Sequence, residues 1–219
     1  VKEAEYFLKR LSELQPLRST AKGNLPQAFA CELHDRFPDH PQSHYPIRSE
    51  EENLKILALR HILSMAGWLK KRNQKFSLTQ KGEAVVKNGI GVGDFYRLFE
   101  IYTQKFNWAF RDFYPALDII QQSALFSCYL LHRKAKAHVH VSELSAHFML
   151  AFPAILDEVG RYLSMEPEEI VHDVFCVRFI ERFCKYFGLV TIQGEERRPI
   201  YIDCFVQTTP LFEKIFLWT

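Results

Sequence analysis

Four histidines within sixteen residues are the strongest candidates in this sequence for metal ligands. They are His132, His138, His140 and His147. His138 and His140 would lie on the same face of a short strand, because side chains two residues apart share a face. Two imidazoles can bind zinc, but a zinc site needs three or four ligands. Surface histidines are the simpler interpretation, so we expect no metal site.

The cysteines and glycines do not suggest catalysis either. Five cysteines, an odd number, occur without a C-x-x-C pair, which is typical of reduced thiols in a cytoplasmic protein. Cys176 and Cys184 are two helical turns apart, which fits buried core thiols. The segment GIGVGDF, which begins at Gly89, follows a predicted helix rather than a strand, so it is a poor phosphate cradle. We therefore expect a protein that is not an enzyme and needs no cofactor.

Clusters of lysine and arginine are the better candidates for a function. The candidate nucleic-acid-binding residues are Lys70, Lys71, Arg72, Lys75, Arg197 and Arg198. Arg133, Lys134 and Lys136 form a third basic group. Such cations can neutralise phosphates. The alternative is that they are solvated hairpin tips, and Glu195 and Glu196 weaken the cluster at Arg197.

The bulk composition restricts how such binding can work. The chain has 219 residues and a formal net charge of +2, so no global field draws it onto a polyanion. Any binding must come from a local patch. The sequence contains no run of 18 apolar residues, so it predicts no membrane-spanning helix. The opening VKEAEYFLKR is charged and unlike a signal peptide, which favours the cytoplasm. Because the sequence starts at Val1 rather than Met, we expect it to be part of a longer protein.

Periodicity predicts three helices and a hairpin in the first part of the chain. The first helix covers 2–14, and the second begins near Pro26. The third covers about 50–66, where Leu54, Leu57, His61 and Met65 recur at helical spacing. Gly67 ends the third helix. WLKKRNQKFSL then predicts two strands with Arg72-Asn73 at the tip, and Thr79 caps a last helix through Val86.

An aromatic-rich segment follows at 94–114. Phe95, Phe99, Tyr102, Phe106 and Phe113 recur at helical spacing, which predicts a central buried helix that ends at Pro115. These rings would pack the two halves of the chain together or present a dimer face.

The second part of the chain repeats the order of the first. We predict a helix at 117–134, a strand at 137–141, a helix through Phe152, a shorter helix after Pro153 and a long helix at 166–187. Gly188 ends that helix, and a hairpin with strands 189–193 and 200–206 leads to a closing element that begins after Thr208-Thr209.

The segment GWLKKRNQKFSLTQKGEAVV resembles the final part of the winged-helix fold, in which a hairpin leads into a last helix. The resemblance implies a mostly α protein with small β-hairpins: winged-helix-like units at 1–90 and 117–219, joined by the aromatic-rich helix at 91–116. TAKGNLPQAF, FNWAF and TPLF are also weakly similar to uncharacterised bacterial proteins, which implies no activity.

The resemblance implies that the third helix of each unit, at 50–66 and 167–187, enters the major groove. Glutamates at the start of both helices would repel phosphates, and the preceding links exceed a helix-turn-helix turn of three or four residues. We therefore expect a DNA-associated transcriptional regulator that contacts double-stranded DNA mainly through its basic wing. The alternative is a non-catalytic protein-interaction or scaffold module, with a protein partner or a second copy of itself.

Overall fold

The protein is described here from a computed structural model that covers residues 1–38, 45–159, 165–194 and 203–217. The chain divides into two compact units, Val1–Phe106 and Asn107–Thr219. Most of the described residues are helical, and the strands form two small three-stranded antiparallel sheets. This confirms the expectation of a mostly α protein with small β-hairpins.

The first unit contains five α-helices and three strands in its described residues. They are α1 (Lys2–Leu14), β1 (Leu17–Arg18), α2 (Gln27–Arg36), α3 (Leu54–Met65), β2 (Leu69–Arg72), β3 (Lys75–Leu78), α4 (Gln80–Asn88) and α5 (Val92–Gln104). α1 forms because its apolar residues recur on one face, and that face is buried. Gly67 follows α3 with φ 75°, a conformation that glycine adopts without strain, and so ends the helix.

The first sheet has the strand order β1-β3-β2. Arg72 pairs with Lys75, so the turn of the hairpin is Asn73-Gln74, one residue further along than predicted. Both turn residues have positive φ, 49° and 55°, as a two-residue turn of type I′ requires. The hairpin is confirmed, and β1 is an additional strand that the sequence did not predict.

The predicted third helix exists, but the prediction is wrong at its start and for Met65. Residues Glu50–Glu52 form a 3₁₀ turn, and α3 begins after Asn53, whose Oδ1 accepts a hydrogen bond from Ile56 N at 3.0 Å. Met65 is 43% exposed, although its spacing predicted burial. Leu57 is buried as its spacing suggests, and Ile56 and Leu63 are buried as well.

The aromatic-rich segment is a helix only as far as Gln104, not to 114. Lys105 N and Phe106 N both donate to Ile101 O, which closes the helix. Asn107 Oδ1 then accepts from Ala109 N at 2.8 Å, a local side-chain bond that competes with helix formation. Phe113, predicted to be buried, is 79% exposed with φ 64°.

A buried arginine holds the segment that follows in this non-helical course. Arg178 is 1% exposed, and its guanidinium binds both carboxylate oxygens of Asp112, at 2.7 and 3.1 Å. It also donates to the carbonyl oxygens of Pro115 and Ala116. These bonds satisfy backbone groups that a helix would otherwise have paired.

The second unit shares with the first a short edge strand, a hairpin and a closing helix, but it has more helices before its hairpin. Its described elements are α6 (Ile119–Gln122), α7 (Ala124–Lys134), β4 (Val139–His140), α8 (Val141–Ala151), α9 (Ala154–Val159), α10 (Pro167–Phe175), a π-helical segment (Cys176–Lys185), β5 (Val190–Gly194), β6 (Cys204–Thr208) and α11 (Pro210–Ile215). The predicted long helix is thus α10 continued by the π-helical segment. The sheet order β4-β6-β5 matches β1-β3-β2.

Similar hydrogen bonds lie where the helix before each hairpin ends. Gly67 N donates to Ser64 O and Gly188 N to Lys185 O, each at 3.0 Å. Gly188 also has positive φ, 69°.

None of the helices in the described ranges has the length and apolar composition that crossing a membrane requires.

Candidate nucleic-acid interface

A row of three cations crosses the first sheet. Arg18 on β1 pairs with Lys75 on β3, and Lys75 pairs with Arg72 on β2. Since neighbouring strands lie about 4.8 Å apart, the row spans about 10 Å. Lys70 lies two residues before Arg72 and shares its face, because side chains alternate along a strand. We call Arg18, Lys70, Arg72 and Lys75 the basic face.

The basic face is exposed and carries no neutralising acid. All four residues are exposed, and none forms an ion pair with a residue in the described part of the chain. Like charges directly opposite one another on a sheet are destabilising. A bound polyanion would relieve that repulsion, which makes this face the best candidate for a binding site.

Lys71 lies on the opposite side of the hairpin from the basic face. It pairs with Phe76, and Leu69 and Leu78 form the next pair on the same face; these three apolar residues are buried. Lys71 Nζ donates to Gly23 O at 3.2 Å. Of the four cations predicted in the first hairpin, three therefore share one face and Lys71 does not.

Arg18 is a member of the basic face that the sequence did not predict. It lies in a strand of two residues, too short to produce an alternating pattern. The only signal in the sequence was an isolated arginine after Pro16 and Leu17, which is not specific.

The other predicted cations do not add to this face. Arg197 and Arg198 lie outside the described residues. In the third basic group, Lys134 Nζ forms an ion pair with Glu143 at 2.8 Å, and Arg133 and Lys136 are exposed.

Formal charge is unevenly divided between the two units. Residues 1–106 contain 17 lysines and arginines against 12 acidic residues, a formal charge of +5. Residues 107–219 contain 11 against 14, a formal charge of −3. The net charge of the whole chain is nearly neutral, but the first unit is basic, and it contains the basic face.

The glutamates before α3 are bound locally rather than projecting from a helix start. Glu50 is fully buried; it forms an ion pair with Arg60 at 2.6 Å and accepts from Leu25 N at 2.9 Å. Glu51 accepts from Asn24 Nδ2 at 3.0 Å. The predicted repulsion from three solvent-facing carboxylates is therefore wrong for Glu50, whose charge a buried guanidinium compensates.

α3 itself presents few groups that could bind a phosphate or a base. Its two cations are already in ion pairs, Arg60 with Glu50 and Lys55 with Glu3, the latter at 3.0 Å. In the second unit, the π-helical segment is almost wholly buried, from Cys176 to Cys184. Neither third helix presents a set of uncompensated cations.

The second sheet lacks a basic face at the matching position. His140 pairs with Phe205, and Phe205 pairs with Gln193. His140 Nε2 lies 2.8 Å from Asp203, and its ring contacts Phe205 edge-on, with centroids 5.0 Å apart. The two units therefore use the same sheet position for different chemistry.

The remaining histidines and cysteines are dispersed or buried. Among the described residues, no three histidine, cysteine, aspartate or glutamate side chains gather into a group that could hold a metal ion. All five cysteines lie in the described part of the chain and are reduced thiols. Burial raises the pKa of the Cys128, Cys176 and Cys184 thiols, so they remain protonated and poorly nucleophilic at neutral pH.

Comparisons with known proteins gave no match. No protein-family model matches the chain, and neither the curated proteins nor the solved structures include a significant match to it. The chemistry of its own residues is therefore the basis for any function.

Proposed function

We propose that this protein is a DNA-associated transcriptional regulator that contacts the phosphate backbone through the basic face of its first hairpin. The observation that carries the proposal is the row Arg18, Lys75 and Arg72, with Lys70 beside it and no acidic partner in the described residues. Neutralisation of phosphates supplies most sequence-independent affinity for DNA.

The fold proposed for both units is winged-helix-like. In each unit a helix, a short strand and further helices precede a hairpin and a closing helix, and the strand order is the same in both sheets, which supports this fold. In such a fold the hairpin is the wing. Because the cations of α3 are already paired, the wing would supply most of the affinity, and discrimination between DNA sequences would be small.

A salt titration with matched variants tests the proposal. Binding of a labelled DNA duplex by the full chain is measured by fluorescence anisotropy between 50 and 200 mM salt, about a fourfold range. Four phosphate contacts predict a slope of log K against log salt of about −3.6, or a loss of affinity of about 100-fold over that range. Changing Lys70, Arg72 and Lys75 to Glu should abolish most of that slope.

Two further variants locate the effect. Arg18→Glu alone should reduce the slope by about 1, as loss of one phosphate contact does. A control with Lys2, Lys9 and Lys87 changed to Glu has the same net charge, but its reversals lie on the exposed surface of α1 and α4. Binding that falls equally in the control, or no binding by the wild-type protein at 50 mM salt, would refute the proposal.

A non-catalytic protein-interaction module is the second candidate. The ion pairs Arg60–Glu50 and Lys55–Glu3 favour it, because they occupy the cations of the helix that would otherwise enter a groove. No binding to duplex DNA at low salt, together with a stable complex with a protein partner, would favour this candidate.

A further inference from the structure

A serine, a histidine and an aspartate form a hydrogen-bonded chain at the second sheet. His140 Nδ1 lies 2.6 Å from Ser142 Oγ, and His140 Nε2 lies 2.8 Å from Asp203 Oδ1. All three residues belong to the second unit. A hydroxyl bonded to a base, with the base bonded to a carboxylate that orients it, is the arrangement that activates serine as a nucleophile.

Strand pairing and the start of α8 bring the three side chains together. His140 ends β4 and pairs with Phe205 on β6, and Asp203 directly precedes that strand. α8 begins directly after His140, so Ser142 lies in its first turn. The rings of Phe205 and His140 are in contact, with an interplanar angle of 76°. The sheet therefore fixes the orientation of the imidazole between the hydroxyl and the carboxylate.

The two partners of His140 determine which nitrogen acts as the base. A carboxylate only accepts hydrogen bonds, so Nε2 carries the hydrogen that is donated to Asp203. In the neutral imidazole Nδ1 then has a free lone pair, which accepts from Ser142 Oγ and, at 3.3 Å, from Ser142 N. Compared with serine proteases the two nitrogens exchange roles, but the proton transfer from serine to histidine is the same.

The first turn of α8 also supplies a donor for negative charge. Because the helix begins after His140, the amide of Glu143 has no partner within the helix. Glu143 follows the serine directly, and the amide of that residue stabilises the oxyanion in many hydrolases. The carboxylate of Glu143 is compensated by Lys134, whose Nζ lies 2.8 Å away.

We propose that Ser142, His140 and Asp203 form a weak esterase site for aryl esters of short acids. Ser142 is exposed, so its hydroxyl is accessible to a substrate. Phe205 is 48% exposed beside His140, and an aryl group can pack on its ring. Since the side chain of Asp203 is 86% exposed, water screens its charge, and the rate enhancement should be small.

The reaction needs no group beyond these residues and water. As Ser142 Oγ attacks the ester carbonyl, its proton passes to His140 Nδ1, and the oxyanion accepts from Glu143 N. The imidazolium then gives the proton to the leaving aryloxide, which departs as a phenol and leaves an acyl-serine. A water molecule next gives a proton to Nδ1 and attacks the acyl group. The carboxylic acid leaves, and the proton returns to Ser142 Oγ.

Hydrolysis of p-nitrophenyl acetate by the full chain tests the proposal. Ser142→Ala and His140→Ala should each lower kcat/KM by about 100-fold, because the nucleophile and its base act as a unit. The matched control is His138→Ala, which removes an exposed histidine two residues earlier and should hydrolyse the ester like the wild type. Circular dichroism verifies that each variant keeps its helices.

Covalent labelling provides a second measurement that does not depend on turnover. Phenylmethanesulfonyl fluoride should modify Ser142 in the wild-type protein, and peptide mass spectrometry should find much less of this adduct in His140→Ala. Labelling of Ser142 that is equal in the two proteins would overturn the role of His140 as the base.

Asp203 acts through His140 and is therefore a positioning residue. Asp203→Asn should lower kcat about tenfold with KM unchanged, because Asp203 does not contact the ester. Asp203→Glu keeps the carboxylate and should restore most of the rate. Equal rates for the wild type and Ser142→Ala would overturn the proposal, as would an Asp203→Asn protein with the wild-type kcat. The site lies in the second unit and does not rest on the proposed binding of DNA.

Discussion

At the scale of single residues, the side of the sheet on which a cation lies decides what it can bind. Lys71 and Arg72 are adjacent in the chain but lie on opposite faces of the first sheet. Lys71 Nζ contacts Gly23 O and lies 5.8 Å from the centre of the Phe76 ring. Arg72 instead belongs to the basic face. Because side chains alternate along a strand, a run of cations is divided between two environments.

A second residue-scale feature is the close approach of Gly82 to the hairpin. A Cβ at this position would lie 2.2 Å from Trp68 O and 3.0 Å from the carbonyl carbon of Trp68. Gly82→Ala should therefore push the start of α4 away from the hairpin and lower the free energy of unfolding by about 1–3 kcal/mol. Urea denaturation followed by circular dichroism measures this change.

Gly93→Ala is the matched control for that substitution. Gly93 also lies near the start of a helix, but no atom lies within 4 Å of its added Cβ. We expect no loss of stability, or a gain of about 0.4–1 kcal/mol from reduced freedom of the unfolded chain. A Gly82→Ala protein as stable as Gly93→Ala would contradict the close approach.

At the scale of elements, one threonine hydroxyl in each unit joins two helices across a hairpin. Thr79 Oγ1 accepts from Gly82 N at 3.1 Å and donates to Gly67 O at 2.6 Å. Thr209 Oγ1 accepts from Phe212 N at 3.3 Å and donates to Gly188 O at 2.7 Å. The hydroxyl thus caps the closing helix and binds the end of the preceding one.

The two threonines should respond alike to substitution. Thr79→Ala and Thr209→Ala should each lower the free energy of unfolding by about 1–2 kcal/mol, because an N-cap bond and a carbonyl partner are lost together. Thr→Ser at either position keeps the hydroxyl and should retain most of that stability. Thermal and urea unfolding measure the changes, and a serine variant as weak as the alanine variant would show that the hydroxyl is not the cause.

At the scale of the whole molecule, two units that share a sheet order, a hairpin and a closing helix carry different surface chemistry. The first unit has a formal charge of +5 and a cationic row across its sheet, whereas the second has −3 and places His140, Phe205 and Gln193 there. Repeated elements preserve the core while each surface diverges, since fold does not fix function.

Under the proposed function, this division predicts which part of the full chain contacts DNA. Photochemical cross-linking to a duplex, followed by mass spectrometry, should yield cross-linked peptides mainly from 1–106, with those of the first hairpin and β1 most frequent. The acidic second unit should contribute few, because its net charge repels phosphates. Cross-links mainly from 107–219 would contradict the division of roles.

The sequence was sufficient for the order of most elements, although not for β1, because the signals of helices and hairpins are local. Helical periodicity, a glycine after the third helix and a threonine before the closing helix need only neighbouring residues. The same signals showed that the hairpin recurs. They also placed Lys70, Arg72 and Lys75 close together, so three residues of the basic face could be predicted.

The remaining features depend on contacts between residues far apart in the chain. Arg18 joins the basic face only because β1 pairs with β3. α5 ends at Gln104, and Arg178 holds the segment that follows through its ion pair with Asp112. Glu50 is buried because Arg60 neutralises it. No local pattern encodes these pairings; strand pairing and buried ion pairs arise only when the core closes and removes the side chains from water.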